Sequence, residues 1–104
     1  MSVMLEFAMF PTDKGESVSS YVSRIIDMVD RSGISYQLTP MGTIVECNGM
    51  DEALEVIRKA YKCLEHDCSR VYSSIKLDIR KGKKGRMEGK IGSIEKKIGR
   101  AIKH

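Results

Sequence analysis

Long apolar runs are missing from this chain of 104 residues. None approaches the roughly 20 residues that a membrane-spanning helix needs. The N-terminal residues also lack the basic, apolar and small-residue order of a signal peptide, so we expect a cytoplasmic protein. Cysteine is sparse: Cys47, Cys63 and Cys68 are an odd count and are expected to be reduced thiols.

Motifs for catalysis and for metal binding are missing as well. Cys63, His66 and Cys68 lie close together in the sequence, but zinc usually takes four such ligands at recurring spacings. No Cys–His nucleophile pair can be argued, because nothing in the sequence orients a base. The Gly-Lys stretch 81–85 does not have the spacing of a phosphate-binding loop. We therefore expect no metal, no cofactor and no enzymatic activity.

What the chain does have is a moderate apolar content and a strongly uneven charge. Apolar residues make up 41% of the sequence, and the length suits a single domain covering residues 1–104. Residues 80–104 hold ten Lys or Arg and two Glu, so they carry +8 and the other 79 residues carry −4. We divide the chain into a core, 1–80, and a basic loop with a C-terminal helix, 81–104. Such a basic end can contact nucleic acid, a partner protein or an acidic neighbouring subunit, or can simply be solvated.

Hydrophobic periodicity predicts the order βαββαβ, followed by a third helix. Apolar runs and alternation predict four strands, at 3–10, 34–39, 43–47 and 70–80. Apolar spacings of three and four predict three helices, at 17–32, 51–66 and 86–102. Ser17 and Asp51 are the predicted N-caps of the first two helices. This order is typical of a ferredoxin-like α+β sandwich, in which a four-stranded sheet carries two helices on one face.

Alternation along the strands assigns one face of the sheet to the helices and leaves the other open. We expect Glu6, Glu46 and Lys76 on the open face, with Ser74 and Gln37 beside them. Three interpretations remain: a solvated face, a face packed against another subunit, or an interface that encloses a pocket. Two carboxylates in a partly apolar cleft would suit a cationic or amidine-like heterocycle.

The RNA-recognition motif shares this topology, and the open face argues against it. That motif reads bases with aromatic side chains on its central strands. The third predicted strand, 43–47, has no aromatic residue, and two carboxylates on the face would repel phosphates. Nucleic acid is therefore an unlikely partner, and the basic tail is the only feature of the sequence that suggests it.

One segment resembles the signature of a known family. Residues 36–46, YQLTPMGTIVE, resemble the Y-x-L-T-P-M-G-T-x-x-E signature of the small thiamine-binding proteins known as the UPF0045 family. Three further stretches fit the same family in the same order: the early strand ending in Phe10-Pro11, residues 17–22, and Arg70-Val71 with residues 75–80. The likeness covers nearly the whole chain.

The resemblance implies a fold, an assembly and a ligand. The fold is a ferredoxin-like subunit that assembles through its sheets as a homo-oligomer, either a dimer or a tetramer built from dimers. The ligand is thiamine, or its hydroxymethylpyrimidine part, bound near subunit interfaces without known catalysis. The positions that the resemblance assigns to ligand binding are Gln37, Thr39, Thr43 and Glu46 from the signature, and Ser19, Arg70, Lys76 and Arg80 from the flanking matches. Reasoning from the residues adds Glu6 and Ser74.

Overall fold

The computed structural model describes residues 1–82 and 85–104. Lys83 and Lys84, in the predicted basic loop, lie outside the described residues. The elements run in the order β1 (Ser2–Pro11), α1 (Ser19–Arg31), β2 (Ser35–Thr39), β3 (Gly42–Cys47), α2 (Met50–Lys62), β4 (Val71–Arg80) and α3 (Arg86–Ile98). This order confirms the predicted βαββαβ pattern with a third helix.

The four strands form one antiparallel sheet in the order β2-β3-β1-β4. β1 and β3 are central, and β2 and β4 are the edges. Along β1, alternate side chains (Val3, Leu5, Phe7 and Met9) face the helices and are buried. α1 contributes Ile25 and Val29 to this core, and α2 contributes Ala53, Val56 and Ala60. The predicted α+β fold, with its apolar face under the helices, is confirmed.

Two predicted N-caps are wrong. α1 begins at Ser19 with Val18 in the cap position, so Ser17 lies outside the helix. α2 begins after Gly49, and Asp51 lies within its first turn rather than at the cap. Neither cap residue in the structure makes a side-chain capping bond, so the polar side chains that marked these positions in the sequence are not used in that way.

The second and third helices are shorter than predicted. α2 ends at Lys62, and residues 63–67 continue as turns rather than as helix. α3 ends at Ile98 because Gly99 takes the left-handed conformation, with φ of 86°, which terminates helices and favours glycine. The apolar spacing continues to Ile102, but the helical backbone does not.

β4 differs most from the expected packing. Its register with β1 directs Ile75, Leu77 and Ile79 to the helix side of the sheet, as alternation predicts. These side chains are nevertheless 46%, 39% and 50% exposed. β4 is an edge strand, and α1 and α2 pack over β1 and β3, so no helix of the described chain covers this row.

Candidate functional site

The predicted ligand residues fall in three separate places. Glu6, Gln37, Ser74, Lys76 and Arg80 lie on the open face of the sheet. Glu46 lies on the same face but contacts α3. Thr39 and Thr43 lie at the β2–β3 hairpin, and Ser19 is exposed at the start of α1. Within the single chain, these residues do not form one site.

Glu6 and Lys76 face each other across β1 and β4, as the sequence predicted. The Lys76 Nζ lies 3.7 Å from Glu6 Oε1. Both side chains are largely exposed, so the pair contributes little to stability. Ile44 is the partner of Glu6 on β3, and Gln37 is the partner of Ile44 on β2. A partly polar row therefore crosses the sheet, open to solvent in the single chain.

Glu46 has a different environment from Glu6. It stands opposite Met4, two residues further along β3 than the position opposite Glu6. Its Oε2 accepts bonds from the Ser2 hydroxyl at 3.3 Å and from the Arg86 backbone N–H at 3.2 Å. Its Oε1 accepts from the Met87 backbone N–H at 3.4 Å. Glu46 therefore caps the N-terminus of α3, where backbone N–H groups lack partners within the helix.

The protonation of Glu46 reflects this capping contact. Burial by itself raises the pKa of the Glu46 carboxyl, since it disfavours the charged form. The backbone N–H groups at the start of α3 and the hydroxyl of Ser2 together outweigh burial, and the pKa lies below its usual value. The carboxylate is ionised at neutral pH, and its charge is already used to hold the helix.

Arg86 completes the contact between α3 and the sheet, and sequence reasoning missed it. Its side chain is only 11% exposed, and one guanidinium nitrogen lies 3.1 Å from an Asp78 carboxylate oxygen. The guanidinium also donates to the hydroxyl and the carbonyl of Ser2, at 3.1 and 3.2 Å, and to the carbonyl of Asp78. In the sequence, Arg86 is one of ten basic residues of the tail, and nothing local distinguishes it from the others.

The hairpin between β2 and β3 depends on the hydroxyl of Thr39. That oxygen accepts bonds from the backbone N–H groups of Met41 and Gly42, at 3.2 and 3.1 Å, and donates to the carbonyl of Gly42 at 2.8 Å. The turn also passes close to β1, because a Cβ on Gly42 would lie 3.0 Å from the carbonyl oxygen of Phe7. Thr39 and Gly42 of the signature are therefore used to build the turn.

A cavity of about 300 Å³, the hairpin cavity, lies between this hairpin, the end of β1 and α1. Its walls are mostly apolar, and Phe7, Met9, Val22 and Ile25 are among them. Thr43 also lines it, and this residue is 4% exposed. Its hydroxyl is a polar group in a mostly apolar wall, which a ligand could use to fix its orientation. Nothing in the sequence indicates that these residues enclose a cavity.

A larger cavity of about 570 Å³ lies at the opposite end of the helix layer. Four carboxylates, Glu46, Glu52, Glu55 and Glu88, line it together with Lys59. Glu55 is already paired with Arg58.

Within the described part of the chain, no group of three or more His, Cys, Asp or Glu side chains is arranged to hold a metal ion. Among the same residues, no helix has the length and apolar character to cross a membrane.

Comparison with known proteins identifies the family. The sequence profile described as "thiamine-binding protein" matches residues 5–95. The chain belongs to this thiamine-binding protein family. Among curated relatives, the UPF0045 protein of Methanocaldococcus jannaschii is 35% identical over 92 residues, which is 88% of this chain and 91% of that protein. A UPF0045 protein of Mycobacterium bovis is 31% identical over 96 residues, 92% of this chain and 94% of that protein.

Solved structures share the fold. The M. jannaschii structure superposes with a TM-score of 0.78 at 34% identity, over 89% of this chain and 95% of that chain. A candidate thiamine biosynthesis or salvage protein of Thermotoga maritima superposes with a TM-score of 0.77 at 19% identity, over 90% of this chain and 99% of that chain. The predicted membership of the UPF0045 family is confirmed, and the family description gives the chain a thiamine-related role.

Proposed function

We propose that this protein binds thiamine or its hydroxymethylpyrimidine part without catalysing a reaction. The family description supports thiamine as the ligand, and it names no reaction. The observation that carries the proposal is the hairpin cavity, whose walls are mostly apolar and include the hydroxyl-bearing side chain of Thr43. Small-molecule sites are typically of this kind, mostly apolar with a few polar groups that fix orientation.

The shape and chemistry of the hairpin cavity suit the pyrimidine ring. A volume of about 300 Å³ is at the small end of the usual range for ligand sites, which favours one ring over the whole two-ring molecule. Phe7 offers apolar and aromatic surface to a flat ring. The hydroxyl of Thr43 can donate to a ring nitrogen or accept from the exocyclic amino group.

The open sheet face is the alternative site, and it needs a second subunit. Glu6 and Lys76 are exposed in the single chain, so a ligand held there would lose little contact with water. A second copy over this face would desolvate it. Glu46 is less suited to a ligand, because the backbone of α3 and the Ser2 hydroxyl already occupy its oxygens.

We propose further that the protein works as a homo-oligomer, a dimer or a tetramer. β4 is an edge strand of ten residues with a row of exposed isoleucine and leucine side chains on one side. Long, apolar edge strands are rarely left uncovered, because they are templates for pairing with another chain. On the other face, Phe10 and Tyr72 contact each other with ring centroids 5.7 Å apart, and the Tyr72 side chain is exposed.

Calorimetry with matched variants tests the ligand and the site together. Wild-type protein is titrated with thiamine and with hydroxymethylpyrimidine, and the same titrations are run on Thr43→Val and Glu6→Gln. Thr43→Val keeps the side-chain shape and removes one hydrogen bond, so we expect affinity to fall about tenfold. Thr12→Val, which removes an exposed hydroxyl bonded to the Arg70 carbonyl, is the control and leaves binding unchanged.

The titrations separate the two sites. If Glu6→Gln weakens binding and Thr43→Val does not, the ligand lies on the sheet face and the hairpin cavity is the wrong site. If wild-type protein takes up neither compound, the proposed function is wrong.

A further inference from the structure

α3 is firmly attached at one end and largely uncovered along its length. Its first turn is held by Glu46 and by the side chain of Arg86. No residue of the helix is buried, and Ile94 and Ile98 are 39% and 50% exposed. The Cα radius of gyration, 15.2 Å, exceeds the roughly 13 Å expected for a compact chain of this length. Met87 and Ile91 are half-buried, so the apolar side chains of the helix are least covered near its C-terminal end. Such a helix needs a surface to cover that end.

The stripe has the spacing of a coiled-coil seam. Met87, Ile91, Ile94 and Ile98 follow one another at intervals of four, three and four residues. In a heptad lettered a to g, Ile91 and Ile98 take position a, and Met87 and Ile94 take position d. Glycines at 89 and 92 then fall at f and b on the outer side, where they weaken the helix but leave the seam intact. A strict a/d stripe is narrower than the face that a helix presents to a globular core.

The residues that flank the seam carry ordered charges. Both e positions are acidic, Glu88 and Glu95, and both g positions are basic, Lys90 and Lys97. In a parallel pair, a g residue meets the e residue five positions further along the other helix, which brings Lys90 to Glu95 of the second copy. In an antiparallel pair, e meets e and g meets g, so glutamate would face glutamate and lysine would face lysine. The charge pattern therefore favours a parallel partner with the same sequence.

We propose that α3 pairs in parallel with α3 of a second copy of this chain, about a two-fold axis that runs along the two helices. The inference rests on the self-association proposed above and names a surface for it. The anchor at Arg86 supports this geometry, because it fixes the start of each helix relative to its own sheet. Two heptads are too short to associate stably as free peptides, so the pairing depends on the attached subunits.

A cysteine at Ile98 tests the direction of pairing. In a parallel pair, position 98 faces itself, within the range of Cα distances that a disulfide spans. In an antiparallel pair, position 98 would face position 87 of the other helix, and the two copies of position 98 would lie about 16 Å apart. We expect Ile98→Cys to form covalent dimers under mild oxidation, with wild-type protein as the control for Cys47, Cys63 and Cys68. Crosslinking only in a mixture of Ile98→Cys and Met87→Cys proteins would overturn the proposal.

A charge exchange tests the seam without introducing a thiol. Lys90→Glu and Glu95→Lys each turn both symmetry-related attractions into repulsions, which should raise the subunit dissociation constant about tenfold at about 0.1 M salt. The double variant restores the pairs, and we expect wild-type affinity from it. Lys96→Glu makes the same change of charge at an outer position and leaves self-association unchanged. Sedimentation velocity over a dilution series measures all four variants.

The two proposals fail in different ways. A wild-type protein that sediments as a monomer, or single variants that associate as tightly as wild type, would overturn the pairing of α3. Glu95→Lys also removes the carboxylate that accepts from the Ile102 backbone N–H. A double variant that associates no more tightly than Lys90→Glu would also overturn the pairing. Titration of the same samples with thiamine reports on the ligand independently, because Lys90, Glu95 and Lys96 lie outside the hairpin cavity.

Discussion

Replacing Glu46 by Gln should loosen the first turn of α3 and leave the sheet intact. In the structure, both carboxylate oxygens accept hydrogen bonds, one from the Met87 N–H and the other from the Arg86 N–H and the Ser2 hydroxyl. Glutamine keeps one oxygen and replaces the other by an NH₂ group, which cannot accept. At least one of these three contacts is therefore lost, and those that remain are made to a neutral oxygen.

The size of the effect follows from the kind of bond. Hydrogen bonds to a charged group contribute about 1.5–3 kcal/mol, and neutral ones about 0.5–1.5 kcal/mol. The contacts are 3.2–3.4 Å long, which places them among the weaker charged bonds. We therefore expect Glu46→Gln to destabilise the attachment of α3 by about 1–2 kcal/mol. Because no residue of α3 is buried, little of this loss should reach the core.

Hydrogen exchange measured by NMR gives the local readout. Protection of the Arg86 and Met87 amides should fall about tenfold or more, while the amides of β1 keep wild-type protection.

The attachment of α3 should also depend on pH, in a definite direction. The folded-state pKa of Glu46 is lowered, so its contribution is fully present above the unfolded-state value and disappears as the pH falls through the folded-state value. In wild type, acidification should release α3; in Glu46→Gln it should have no further effect.

Glu6→Gln is the matched control, because Glu6 lies on the same sheet face and contacts Lys76 instead of α3. Its amide protection at residues 86 and 87 should equal that of wild type. Unchanged protection of both amides in Glu46→Gln would refute the capping role. Loss of protection throughout β1 would refute it too, since Glu46 would then be needed for the sheet itself.

Two further predictions concern local geometry. Gly42→Ala places a Cβ against the Phe7 carbonyl and should lower the free energy of unfolding, measured with urea, by about 1–3 kcal/mol. Gly49→Ala is the control: there is open space around its Cβ, so it should cost far less. If the two variants are equally stable, the predicted clash at Gly42 is wrong. Hydrogen bonds from the hydroxyl and N–H of Ser69 lower the pKa of Asp13 from 3.8 to about 2. Asp13→Asn should therefore lower Tm relative to wild type above pH 4, and the difference in Tm should fade between pH 4 and 2. A difference in Tm that persists below pH 2 would contradict the stabilising role of the Asp13 carboxylate.

Properties that depend on local periodicity could be predicted from the sequence. Alternation along β1 and β4 indicated which side chains share a face, and the register of the two strands agrees with it. Alternation could not indicate coverage, because coverage depends on strand order and on where the helices lie. Leu77 shows the difference: it lies on the helix side of the sheet as predicted, but it is exposed because β4 forms an edge of the sheet.

The candidate site was harder to predict because its parts meet through long-range contacts. Glu46 and Arg86 are 40 positions apart, and their contact places the start of α3 on the sheet face. No spacing rule in the sequence relates a strand carboxylate to a helix N-terminus so far away. Thr43, in contrast to Arg86, is marked by the family signature. Only the packing of α1 against the hairpin shows that Thr43 lines a cavity.

The charges of the sheet face argue against an ion pair as the source of affinity for a cationic ligand. The negative charge of Glu46 is balanced by the N–H groups at the start of α3, and Lys76 lies beside Glu6. A cation on this face would have to displace one of these partners, and the gain in one contact would largely offset the loss of the other. The hairpin cavity requires no such exchange of charged partners, because its mostly apolar walls favour a ring leaving water. Of the two carboxylates that suggested a ligand site in the sequence, Glu46 holds the start of α3 instead, and we therefore propose the signature hairpin as the better place for a ligand.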